Sequence, residues 1–470
     1  MITLKKFLSL LTSRERNRVG LLLIMMLIVA FFEMLGVASI LPFMSVLTNP
    51  DLIETNEILN FMFKTSKEYG IENSQQFLFV LGIIVFVLLV ISLLFKAITA
   101  YTQVRFVHMI NYSISKRLIE DYLYQPYSWF LNRNSADLGK TILSEVATVV
   151  GGGVKPLMEI ISKGIITCTL IVLLIIVNPK LTIIVCFSLG GTYIVLFYII
   201  RSFLDRIGKE RLKSNQSRYI AVSEAFGASK EVKVGGLEQT FIKQFSNSAK
   251  TFAQTQASVS VLGQLPRFFL EAIIFGGMLI IILSTIGKSE SFISILPIIS
   301  LYAFAGYRLL PALQHIYASF TQLTFVGPSL DKLYFDIKKL KPFNKNQSQE
   351  ILSFNKFIKL KNICYSYPST SRTTLKDISL SITAGSTVGI VGSTGSGKTT
   401  TVDIILGLLE SQKGTLEVDG KVITKKNVRS WQRSIGYVPQ HIYLSDDTVT
   451  ANIAFGVDLK DINQDMVEKV

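Results

Sequence analysis

Residues 392–399, Gly-Ser-Thr-Gly-Ser-Gly-Lys-Thr, place glycines, a lysine and a hydroxyl in the spacing G-x-x-x-x-G-K-[ST]. Such a loop can cradle phosphates. Gly392, Gly395 and Gly397 let the backbone curl until its N–H groups face phosphate oxygens. Lys398 supplies a charge between the β- and γ-phosphates, and Thr399 offers a hydroxyl to Mg²⁺. Ser393, Thr394, Ser396 and Thr400 complete the candidate phosphate-contacting set. The segment 399–409 (TTTVDIILGLL) reads as a helix whose N-terminus adds positive potential to the loop. The apolar run 386–392 (STVGIVG) reads as a buried strand leading into it. A chance match in a Gly/Ser loop lacks this order of strand, loop and helix.

Two further residues narrow the chemistry. Tyr367 ends a strand-like segment 31 residues before Lys398, where an aromatic ring can stack on an adenine face. Gln440 stands just after the segment IGYVP (435–439), which reads as a strand, 42 residues after Lys398, where an amide can reach Mg²⁺ and an attacking water. Alone, each has an ordinary explanation as a strand aromatic or a loop glutamine. FIKLKNICYSY (357–367) and LKDISLSI (375–382) read as the strands that hold this region.

Taken together, YSY at 365–367, LKDISL at 375–380, the loop at 392–399, Asp419-Gly420, VPQ at 438–440 and DTVTANIAFG at 447–456 resemble the nucleotide-binding domain of ATP-binding cassette (ABC) transporters. The resemblance implies an α/β P-loop domain that takes ATP and Mg²⁺. It implies adenine stacking at Tyr367, phosphate contacts from 392–400, metal contacts from Thr399 and Gln440, and catalytic roles for Lys398 and Gln440. The family continues with an LSGGQ signature, an Asp-Glu pair and a switch histidine. None stands within the 470 residues. The expectation is a fragment of a longer chain, one that binds ATP and needs further residues for hydrolysis, with a natural truncation as the alternative.

The rest of the chain has a different texture. Hydrophobic residues make up 49% of the protein and charged residues 17%, against roughly 25% charged in soluble domains. A disordered or fibrous protein is excluded. Six apolar segments approach or exceed the length of about 20 residues that a span needs: 19–46, 77–102, 156–177, 181–200, 265–286 and 291–318. Long polar connections, residues 103–155 and 201–264, separate the second from the third and the fourth from the fifth. The expected organisation is a transmembrane part over 1–330, a Lys-rich linker over 331–350, and the start of a nucleotide-binding domain over 351–470.

The net charge of +15 is unevenly placed. Residues 1–18 carry five Lys/Arg against one acid and 201–264 carry ten against five, whereas 49–76 carry two against five. By the positive-inside rule the N-terminus, the long polar connections and the C-terminal part face the cytoplasm of a multi-pass inner-membrane protein. There is no basic stripe with interleaved aromatics, so nucleic acid is not an expected partner. The three cysteines, Cys168, Cys186 and Cys364, support neither a disulfide framework nor a zinc site. Residues 2–11 read as an interfacial amphipathic helix rather than a signal peptide. Residues 56–70 fit an amphipathic outer helix and a solvated loop equally well.

Six spans with two long cytoplasmic connections resemble an ABC exporter half-transporter, an all-α transmembrane domain that works as a homodimer. By that resemblance QPYSWFLNRNSADLGKTILSEV (125–146) and SEAFGASKEVKVGGLEQTFIKQF (223–245) are the intracellular loops. They place Trp129 with Phe130, and Phe226 to Lys230, near the helices that dock onto the nucleotide domain. Glu33, Lys96, Arg267, Glu271 and Arg308 lie in or beside apolar runs. Charges at membrane depth cost roughly 2.5–3.5 kcal/mol and usually face a cavity or a partner. MLGVASILPFMSVL (34–47), LPRFFLEAI (265–273) and AGYRLLPALQHI (305–316) resemble lipid-linked oligosaccharide flippases of the PglK type. That resemblance implies a polyprenyl-pyrophosphate-linked saccharide as cargo and membrane lipid as a partner, with Lys96, Arg267 and Arg308 on the anionic head. An exporter of another lipid, drug or peptide, and an ATP-binding membrane protein without turnover, are the alternatives.

Overall fold

The computed structural model describes residues 2–68, 70–71, 73–285, 289–340, 350–367, 372–440 and 442–470. It divides into two compact units, one of residues 1–125 and 133–342, the other of residues 126–132 and 343–470.

The first unit is helical. α1 (Ile2–Leu10) buries Phe7 and Leu10, and α2 (Ser13–Ala38) starts where Thr12-x-x-Glu15 closes a capping box. The Thr12 hydroxyl accepts from the Glu15 N–H at 3.3 Å and the Glu15 carboxylate accepts from the Thr12 N–H at 2.7 Å. The first apolar segment breaks at Ser39 and resumes as α3 (Ile40–Thr48). Pro42 cannot donate to the carbonyl four residues back, so the helix is interrupted one turn before it. α4 (Leu52–Thr55) and α5 (Glu57–Lys67) follow. The helical alternative for 56–70 is therefore the one realised: Asn56 caps Ile58 and Leu59, and Leu59 packs with Val46, Ile53, Phe77 and Leu81.

α6 (Ser74–Leu123) has 50 residues and is about 75 Å long, more than twice the hydrocarbon thickness. α8 (Ser135–Lys140), α9 (Val146–Val149) and α10 (Lys155–Val177) form one helical path with π-helical turns at Thr141–Glu145 and Val150–Val154. α11 (Pro179–Gly227) begins on a proline, whose missing N–H is an unbonded position in any first turn. α12 (Ser229–Gly235), α13 (Glu238–Thr285) and α14 (Ser289–Lys339) complete the unit. The remaining five apolar segments lie in α6, α10, α11, α13 and α14. Among the described residues the stretches Ser13–Thr48, Ser74–Leu123 and Ser135–Val177 are long and apolar enough to cross a membrane. α14 runs to Lys339, so the first part of the expected linker is helix; residues 341–349 lie outside the described residues.

Glycines set the closest approaches. A Cβ on Gly208 of α11 would meet the Phe325 carbonyl oxygen at 2.2 Å, and one on Gly153 would meet the Phe7 ring at 2.2 Å. Beside these contacts lies a buried polar network. Arg211 donates to Glu145 (3.0 and 3.4 Å), Thr148 (2.9 Å) and Ser329 (2.7 Å). Asn215 donates to Glu145 at 2.7 Å and accepts from Arg218, whose guanidinium stacks 4.0 Å from the Phe252 ring centroid. The π-turn at 141–145 carries Glu145 on this path, and the network ties it to α11, α13 and α14.

In the second unit, α7 (Tyr127–Phe130) belongs with residues 343–470. β1 (Phe357–Tyr365) lies between β2 (Leu375–Thr383) and β3 (Lys413–Val418), and β4 (Lys421–Val422) closes a hairpin. All pairings are antiparallel. Asp419 (φ +47°) and Gly420 (φ +81°) make the tight turn of the β3–β4 hairpin. α15 (Lys398–Ile405) packs Ile404 into a core with Leu360, Ile363, Tyr365, Leu416, Val418 and Trp431. α16 (Val428–Gln432), α17 (Val449–Ile453) and α18 (Gln464–Glu468) are short.

Two strand expectations fail here. Residues 386–392 and 435–439 form no strand, and Val391 and Val438 are 92% and 85% exposed. A strand exists only through its neighbours, and among the described residues no strand pairs with either run. The helix expected over 399–409 stops at Ile405, because Gly407 turns the chain at φ +67°.

Candidate nucleotide site and intramembrane charge cluster

The phosphate loop is built as its spacing requires. Gly395 (φ +79°) and Gly397 (φ +93°) take left-handed backbone conformations. A Cβ on Gly397 would lie 2.6 Å from Leu375 Cδ2 and 3.3 Å from the Thr374 carbonyl oxygen, so the loop is pressed against the start of β2. Lys398 opens α15 and its Nζ donates to the carbonyls of Gly392 (2.8 Å) and Ser393 (2.9 Å). The ammonium is thus folded over the loop, and among the described residues it has no carboxylate partner. Residues 392–396 are exposed, leaving the phosphate-facing side open. A concave glycine backbone, an unneutralised lysine and a helix N-terminus fit a polyphosphate.

Tyr367 meets this loop. Its hydroxyl is 3.1 Å from the Thr400 hydroxyl, and its ring packs edge-on against Tyr365 with centroids 5.1 Å apart. Gln440 is exposed and shares no hydrogen bond with residues 392–400. Among the described residues no group of three His, Cys, Asp or Glu could hold a metal ion. Any Mg²⁺ here would rest on hydroxyl, amide and phosphate oxygens.

Residue spacing did not flag Tyr127 and Asp403. Tyr127 of α7 lies in electrostatic range of Asp403, Tyr367 and Tyr437; burial, then the Asp403 carboxylate, raises its phenol above the usual range. Burial also raises the Asp403 carboxyl. The aromatic-rich YSWF run was the available signal.

The candidate cargo residues separate. Glu33, 3% exposed, accepts from Lys96 at 2.9 Å and pairs with Arg308 at 3.1 Å. It lies between Ala30 and Val37, which pack with Ile166, Leu170, Leu301, Ala305 and Leu309 from α10 and α14. A carboxylate in that setting needs its cations to remain charged. Arg267 is elsewhere engaged. It pairs with Glu271 one turn on, at 2.7 Å, and both side chains are well exposed. Lys163 is instead in electrostatic range of Lys96, Glu33 and Arg308. Its place just before the cleanly apolar part of α10 was the signal that could have found it.

A helical membrane part joined to a P-loop unit defines a transporter of the ATP-binding cassette class. Residues 19–309 match the family profile of the ABC transporter transmembrane region, and residues 375–469 match that of the ABC transporter. The chain belongs to the ABC transporter family, and its fold is that of the exporters. It is 25% identical over 350 residues to the ATP-dependent lipid A-core flippase of Wigglesworthia glossinidia brevipalpis, covering 73% of this chain and 59% of that protein. It is 26% identical over 359 residues to the flippase of the same name from Pseudomonas fluorescens (strain Pf0-1), covering 75% and 58%. The chain thus spans less than two thirds of the length of these curated relatives. A bacterial Atm1-family ABC exporter solved with ATP bound shares the fold, with a TM-score of 0.68 at 17% identity, over 94% of this chain and 74% of that one.

Proposed function

We propose that this chain forms the membrane part and the first stretch of the nucleotide-binding part of an ATP-driven exporter. It works as a homodimer in the inner membrane, with its N-terminus and nucleotide-binding part in the cytoplasm. Its cargo is a lipid with an anionic head, a lipid-linked oligosaccharide or a chemically similar glycolipid. Residues 392–400 hold the phosphates, Tyr367 the adenine, and Thr399 with Gln440 the Mg²⁺. Lys398 and Gln440 serve the chemistry at the γ-phosphate.

The observation that carries the cargo reading is the pair of cations on buried Glu33, with Glu33 and Lys96 inside stretches long and apolar enough to span. The flippase names of the relatives support a lipid of this kind. The chain in nanodiscs tests it, with fluorescent ATP and a fluorescent anionic lipid as probes. Lys398→Ala is expected to weaken ATP binding at least about tenfold, the loss of one charge-assisted contact. Lipid binding is expected to favour the anionic head over a zwitterionic one of equal chain length. Equal affinity for both would point to an exporter of another amphipathic substrate.

A further inference from the structure

Two π-helical turns interrupt the path from α8 to α10. The Val146 N–H donates to the Thr141 carbonyl, and the Lys155 N–H to the Val150 carbonyl, each five residues back. Each turn therefore holds one residue more than an α ladder would, and single π-turns of this kind recur at kinks and functional sites. Before the second turn, Glu145 is held by Arg211 of α11, and Asp137 takes both Lys140 at 2.6 Å and Lys332 of α14 at 3.3 Å. After it, α10 is fixed by Ile166, Leu170 and Leu174 in the core. This register leaves its central group incomplete, because the buried Arg211 Nε–H has no acceptor among the described residues. The glycines point the same way. Gly152 is required by packing, since a Cβ there would lie 2.6 Å from Val326 of α14, and Gly153 lies against Phe7. Gly151 has nothing within 4 Å of that position, so packing does not call for it, and a mid-helix glycine weakens the α ladder. Pro328, two residues beyond Val326, takes an N–H out of the α14 ladder at the same level.

We propose that residues 141–154 are a register switch. In its second state one surplus residue has passed along the path into the non-helical chain at 131–134. Residues 135–149 then turn by about 100° and advance by about 1.5 Å against α11 and α14, while α10 stays in place. Glu145 and Asp137 stand on the turning stretch, whereas Arg211 and Lys332 do not, so both pairs break together. Close-packed helices settle into one arrangement or another rather than sliding continuously, which makes the element two-state. α7 belongs to the nucleotide-binding unit, and α8 follows it after residues 131–134. A pull on α7 therefore reaches this path first. That role in transport rests on the exporter reading above; the switch itself does not.

The test is the spin-label distance between positions 101 and 143 in nanodiscs, with Cys168, Cys186 and Cys364 replaced by serine. Tyr101 of α6 and Leu143 on the path are 68% and 75% exposed and accept labels. The otherwise unchanged chain is expected to give one dominant distance. Glu145→Gln removes the charge that Arg211 holds, and is expected to raise a second distance, displaced by at least about 3.5 Å, about tenfold. Gly151→Ala favours the α ladder at the second turn and is expected to raise that distance up to about fivefold. Deletion of Gly151 takes the surplus residue away with both flanks in phase, and is expected to abolish the second distance in the Glu145→Gln background. Far-UV circular dichroism and SDS unfolding report the fold of each variant. A single distance in folded Glu145→Gln and Gly151→Ala would overturn the switch, as would a second distance that survives the deletion. Neither result needs nucleotide, so both would leave the exporter reading standing. Failure of the same samples to bind fluorescent ATP would overturn that reading and leave the switch.

Discussion

Replacing Arg211 by Met probes the buried network directly. The guanidinium is 1% exposed and donates to Glu145, Thr148 and Ser329, so the substitution removes four hydrogen bonds at once. It also leaves the Glu145 carboxylate, 3% exposed, with Asn215 as its remaining close donor. The four lost bonds all come from a charged guanidinium and the carboxylate is left orphaned, and breaking one side of such a buried pair costs about 3–5 kcal/mol. The double variant Arg211→Met, Glu145→Leu removes the orphan along with the pair and is expected to recover most of that loss. The assay is reversible unfolding in SDS, with a double-mutant cycle. Because the pair is buried, the coupling is expected to change little between low and high salt. A single-variant cost under about 1 kcal/mol, or a double variant as unstable as the sum of the singles, would refute the reasoning.

Gly397→Ala places a methyl 2.6 Å from Leu375 and forces φ +93° on an L-residue, so nucleotide binding should be lost while the membrane unit stays folded, read by fluorescent ATP titration. Gly208→Ala should destabilise more than Gly153→Ala, where overpacking costs about 1–3 kcal/mol; the first clash is with a backbone carbonyl and the second with a ring that Phe7→Ala can remove. Asp419 accepts from the N–H groups of Asn355, Lys356 and Phe357 at 2.7–2.8 Å, and these bonds hold its carboxyl below the ordinary 3.8. A depressed folded value means stabilisation that is present above pH 3.8 and lost as pH falls below it through the folded pKa. Asp419→Asn keeps the left-handed turn and should remove that pH dependence from acid unfolding of the β3–β4 region, measured by hydrogen exchange.

The sequence by itself determined what is local. The phosphate loop is a contiguous spacing of glycines and a lysine, and the structure builds it as such. The apolar segments, the Thr12 capping box and the Asp419-Gly420 turn are likewise short-range patterns, legible because their partners lie within a few residues. Tertiary structure decided the rest. Residues 386–392 have the composition of a strand, yet a strand needs a neighbour, and no described backbone supplies one. Lys96 and Arg308 looked equivalent to Arg267 along the chain; only packing showed that two of them share Glu33 while the third pairs one turn away. Lys163, Tyr127 and the Arg211–Glu145 network carried little sequence signal for the same reason. A charge reveals its role through the groups it faces, and those groups stand tens to hundreds of residues away in the chain.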